Sequence, residues 1–110
     1  MIEVSINAKI GDTTYTGNLL GETSDNIVDA FKKKVVSKLP WYQKGFVKRM
    51  SRERFIAEIV SRYISFKKLP KPEYTPNTSA AFICWAVNEG LASFVSGEDE
   101  VCSNRLDAPK

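Results

Sequence analysis

Ile2-Glu3-Val4-Ser5-Ile6-Asn7-Ala8-Lys9-Ile10 carries an apolar residue at every even position. Strict period two places all five on one face of a β-strand, because successive side chains of an extended chain point to opposite sides. Gly11-Asp12 follows as a turn signal, and Thr13-Thr14-Tyr15-Thr16 is rich in residues that favour strands. A hairpin of residues 2–9 and 13–20 is therefore expected. A two-stranded ribbon is marginal alone in water, so its apolar face requires helices over it.

The rest of the chain supplies them. Thr23, Ser24 and Asp25 offer helix caps, and Ile27, Phe31, Val35 and Leu39 recur every four residues as a core stripe. Asp25 and Asp29 come early and Lys32, Lys33, Lys34 and Lys38 late, the order the helix dipole favours. Pro40 biases Leu39 away from helical angles and ends this element. A short second helix is expected over Trp41 to Arg49, weakened by Gly45. Ser51 caps a third, whose Phe55, Ile56, Ile59, Val60, Tyr63 and Ile64 share one face and whose Arg54, Glu58, Ser61, Arg62 and Ser65 share the other.

Leu69 to Pro76 holds Pro70, Pro72 and Pro76 and reads as an extended connector. Asn77 or Thr78 then caps a last helix, apolar almost all round from Ala80 to Val87 and expected to reach about Val95, with Gly97 ending it. An acidic tail, 98–110, expected to be only loosely held, completes the chain. It is a candidate weak competitor for the chain's own basic face. At 110 residues the length prior is one domain. The expected architecture is a single α+β domain over 1–97, an N-terminal β-hairpin packed against three to four helices. Its expected core is Ile2 or Val4, Ile6, Phe31, Val35, Phe55, Ile59, Tyr63, Phe82, Trp85 and Val87.

The chemistry that is missing narrows the function. There is no histidine, which removes the commonest general base and the commonest metal ligand. No phosphate-cradling, dinucleotide-binding or nucleophile-elbow motif occurs. Cys84 sits in the apolar run and reads as a core residue, and Cys102 follows three acids that disfavour its thiolate. Two cysteines leave a disulfide open, but reduced thiols are the favoured reading for a chain that opens with no secretion signal. The longest apolar run is about eight residues against the roughly 20 a membrane span needs. The expectation is a non-enzymatic, soluble cytoplasmic protein with no cofactor, no metal and no membrane partner.

Charge provides the positive signal. Thirteen of sixteen basic residues lie between Lys32 and Lys71 beside only Glu53 and Glu58, a segment charge of +11 inside a chain whose net charge is +3. Such asymmetry points to an anionic partner. Part of it is a solvated face, since Arg54, Glu58 and Arg62 can pair along their helix. Lys32, Lys33 and Lys34 lie about 100° apart on a helix and cannot all face one partner. At least one must edge the apolar stripe. Lys44, Lys48, Arg49 and Arg52 cluster at a helix break behind Trp41 and Tyr42, with Glu53 the only nearby acid in sequence.

Cations of this kind bind phosphates, and exposed aromatics stack on bases. For Trp41 and Tyr42 themselves the favoured reading is the bland one, core packing, since small domains rarely leave a Trp exposed. The partner-binding set is Lys32, Lys33, Lys34, Trp41, Tyr42, Lys44, Lys48, Arg49, Arg52 and Arg54. DNA or RNA held through phosphate contacts is the first expectation for the partner. The alternative is a stoichiometric inhibitor or adaptor, of the kind phages encode, that meets an acidic protein surface on a nucleic-acid-processing complex.

Overall fold

A computed structural model describes residues 1–70 and 75–102. Its elements run β1 (Ile2–Ile10), β2 (Thr13–Gly21), α1 (Ser24–Ser37), α2 (Trp41–Lys48), α3 (Arg52–Lys67), α4 (Ser79–Asn88), β3 (Ala92–Ser96) and α5 (Glu98–Cys102). The fold is α+β, with the N-terminal hairpin as two strands of a three-stranded antiparallel sheet ordered β2-β1-β3. Ile2, Val4, Ile6, Ala8 and Ile10 are all buried on the inner face, as their period demanded, and Tyr15 and Leu19 join them from β2.

Helices cover that face. α1 contributes Ile27, Val28, Phe31 and Val35, α3 contributes Phe55, Ile56, Ile59, Val60 and Tyr63, and α4 contributes Phe82, Ile83 and Ala86. Phe31 is the hub: its ring centroid lies 5.7 Å from Tyr15, 5.8 Å from Phe55 and 6.2 Å from Phe82. One side chain thus ties the sheet to three helices. Trp85 and Val87, expected in the core, are only partly buried. Trp85 sits against Tyr63 and Phe82 at the edge of the cluster.

The caps follow the side chains. Thr23 accepts from the Asn26 N–H while the Asn26 side chain accepts from the Thr23 N–H, closing a capping box, and Ser51 and Thr78 each accept from the residue three ahead.

The C-terminal third departs from the expected single helix. α4 stops at Asn88 because Gly90, just past the Glu89 cap, turns left-handed. The Gly90 N–H donates to Val87 O at 3.1 Å and the Leu91 N–H to Ala86 O at 2.9 Å, with Gly90 at φ 78 and Leu91 buried. The chain then reverses, and Ala92–Ser96 pairs with β1 through a bulge that leaves Val95 without a partner between Val4↔Phe94 and Glu3↔Ser96. Gly97, at φ 82, turns the backbone where a Cβ would lie 2.9 Å from the Ile2 Cα.

Two expectations about the end of the chain change with this reversal. Residues 98–102, read as the start of a loose tail, form α5 with Val101 and Cys102 buried and Glu100 3.8 Å from the Met1 amino group. Cys84 and Cys102 are joined in a disulfide with Cα atoms 6.2 Å apart, not reduced as expected. A helix continuing to Val95 would have carried Cys102 away from Cys84; the turn at Gly90 brings it back. The thiol argument for a cytoplasmic location goes with it. Among the described residues no helix is long and apolar enough to cross a membrane. Lys71 and 72–74 of the connector, and 103–110 of the tail, lie outside the described residues.

Candidate functional site

α2 is built unlike its neighbours. Pro40 opens it with no side-chain cap, Gly45 sits in its middle, and none of its eight residues is buried. Helices this short are marginal in water without tertiary support. Support comes from below, where Leu39, Val47 and Met50 pack on the core and the Lys32 Nζ donates to the Met50 carbonyl.

That attachment decides what faces out. At about 100° per residue, Trp41, Arg49, Tyr42 and Phe46 fall in that order on one arc of about 140°, and Val47 lies about 170° from the middle of that arc. Trp41 is 85% exposed, Tyr42 65% and Phe46 61%. The first two rings meet edge to face at 5.8 Å, and the Arg54 guanidinium lies 5.7 Å from the Phe46 centroid. Core packing, the bland reading of Trp41 and Tyr42, is therefore overturned. Lys44, Lys48 and Arg49 are exposed beside these rings, and no ion pair among the described residues involves them.

The other sequence candidates divide. Arg52 is committed: its Nε donates to Asp29 Oδ1 at 2.8 Å and its Nη2 to Asp29 Oδ2 at 2.9 Å, with Asp25 3.9 Å away. The hydrogen bond from Arg52, aided by the charges of Arg52, Lys32 and Lys33, holds the Asp29 carboxyl below its usual range. The acids that occupy Arg52 come from α1, over 20 residues away in sequence, so no local count of charges finds them. Asp25 also accepts from the Ser79 hydroxyl at 2.5 Å, which locks α4 into the same corner.

Lys32 is half-buried and tied to Met50, and Lys34 is half-buried with its Nζ against β2 at Gly17; only Lys33 of the three is fully exposed. Arg62 pairs with Glu58 at 4.0 Å, whereas Arg54 turns to Phe46 instead. The solvent-facing set around α2 is thus Trp41, Tyr42, Lys44, Lys48, Arg49 and Arg54, joined by Phe46, which charge-based reading passed over. Its signal was available: Phe46 follows Tyr42 by four residues, which places it only about 40° from Tyr42 around the helix.

An apolar cavity of about 40 Å³ lies between the sheet and the helices, lined by Ala8, Phe31 and Ile83 among others. It is far below the roughly 150 Å³ that admits a benzene ring, so it is a packing void. Among the described residues, no group of three or more His, Cys, Asp or Glu is placed to hold a metal ion. The chain matches no family model, no curated protein and no solved structure.

Proposed function

We propose that this is a non-enzymatic binding protein whose α2 face holds nucleic acid through phosphate contacts. One observation carries the reading: an eight-residue helix with no fully buried residue turns three aromatic rings to solvent beside Lys44, Lys48 and Arg49, which form no ion pair among the described residues. Isolated apolar residues are ordinary on a protein surface, but a contiguous aromatic patch marks a contact surface. Cations without local acids select an anionic partner, and aromatic faces interleaved with them suit a polymer of phosphates and bases.

Salt titration tests the reading. With Arg52 held by Asp29, three cations remain on α2, and the log–log slope of affinity against salt should be about −3 on duplex DNA, at about −0.9 per phosphate neutralised. Charge reversal of Lys48 and Arg49 should remove about two of those contacts, with thermal stability nearly unchanged because both residues are exposed. Absence of binding to any duplex or single strand at low salt would remove the nucleic-acid reading. An acidic protein surface on a nucleic-acid-processing complex would then be the partner to seek.

A further inference from the structure

α2 is not the only place where an exposed ring meets cations. Phe66, near the end of α3, is 40% exposed, with the Lys9 Nζ 5.9 Å and the Lys67 Nζ 6.0 Å from its centroid. Lys9 arrives from β1, so the patch is made by the fold and has no counterpart in a linear count of charge. Phe66 takes no part in the buried stripe of α3, which ends at Tyr63.

The face of α3 between the two patches is open. Arg54 at its start leans on Phe46 of α2; Ser61, Arg62 and Ser65 are exposed along it, and Glu58 is the acid on this face, paired to Arg62. From Arg54 to Phe66 is twelve residues, or about 18 Å at 1.5 Å per residue. A stacked strand advances about 3.4 Å per nucleotide, so this distance corresponds to about five nucleotides.

We infer that the ligand is a single strand of nucleic acid that runs along α3, with bases stacked on the aromatic face of α2 at one end and on Phe66 at the other. This rests on the α2 reading and extends it to a second site and a ligand class. Single-strand binders pair a basic track with stacking rings, whereas bases inside a duplex do not present their faces. The cations now seated over Phe46 and Phe66 are no obstacle. An exposed cation–π contact is weaker than a base on an aromatic ring, so an incoming base displaces the cation and leaves it free for a phosphate.

Binding of four- and twelve-nucleotide oligothymidines and a twelve-base-pair duplex, at low salt, tests the track. The twelve-mer reaches both patches and should bind at least about tenfold more tightly than the four-mer, because its second contact is intramolecular. Phe66→Ala should weaken the twelve-mer by about 5- to 150-fold, the range for losing one stacked base, and leave the four-mer at α2 little changed. Lys67→Glu, a change at an exposed cation that leaves the ring in place, should act in the same direction. Twelve-mer affinity unaltered in both variants, with Trp41→Ala still weakening it, would overturn the track and leave α2 standing. A duplex bound as tightly as the single strand would overturn stacking but not phosphate contact. No binding of any probe would remove the α2 reading and the track together.

Discussion

α2 and α3 are adjacent in the chain, and half the residues of each are hydrophobic, yet their burial is opposite. α3 places Phe55, Ile56, Ile59, Val60 and Tyr63 on one stripe and buries all five; α2 spends its rings on the arc away from the core and buries none. Composition is the same and arrangement differs. α3 is therefore held by the hydrophobic effect along a whole stripe, while α2 is held only by its own Val47 and by Leu39 and Met50 at its flanks, and its rings are surplus to folding. That surplus is the physical argument for a contact surface.

Truncation separates the two roles most sharply at their extremes. Phe31→Ala, at the meeting point of sheet and helices, should cost about 3–5 kcal/mol, and Ile59→Ala on α3 about 2–5 kcal/mol, in denaturant unfolding. Trp41→Ala removes a larger side chain and should stay within about 0.5 kcal/mol of the parent. A Trp41 cost comparable to that of Ile59 would show that α2 is packed, and the contrast would collapse.

The disulfide offers a cut of intermediate size in a third region. Cys84–Cys102 closes a sequence separation of 18 residues around β3 and α5. A loop of that length confers about 3 kcal/mol by constraining the unfolded chain. Replacing both cysteines with Ala should therefore lower stability by roughly 2–4 kcal/mol, while anion binding at α2 stays as it was. Loss of both together would tie the C-terminal segment to the site.

The hairpin and the stripes of α1 and α3 were readable because each is a local period, two or four residues long, in uninterrupted sequence. β3 was not. Its five residues follow an apolar helix, and only Glu89-Gly90-Leu91 separates them from it; the strand exists because β1 has an open edge, a partner some 90 residues away. The site divides the same way. Lys44, Lys48 and Arg49 were readable as a cluster, but Arg52 was lost to Asp29 and the Phe66 patch gained Lys9, both through tertiary contacts. Whether Trp41 faces in or out was undecidable from residues 41–49 alone, since burying the rings and burying Val47 place the same helix in opposite orientations.

The smallest expected effect lies at the border between the two helices. Arg52 begins α3, and its bidentate bond to Asp29 both fastens α1 to that corner and withholds a cation from the α2 surface. Asp29 titrates below its usual range because the Arg52 hydrogen bond, and then the nearby positive charges, favour the carboxylate. A carboxyl whose value is depressed on folding stabilises the fold at pH values above its unfolded value of about 3.9. That contribution is lost as the pH falls through the lower folded value. Asp29→Asn should therefore flatten the dependence of stability on pH below about 4 and change little at neutrality, where a half-exposed pair contributes modestly. The same substitution should release Arg52 toward the ligand, steepening the salt dependence of duplex binding by about 0.9 for one added phosphate contact. A flattened acid limb with an unchanged salt slope would show that Arg52 belongs wholly to the structural side of the border.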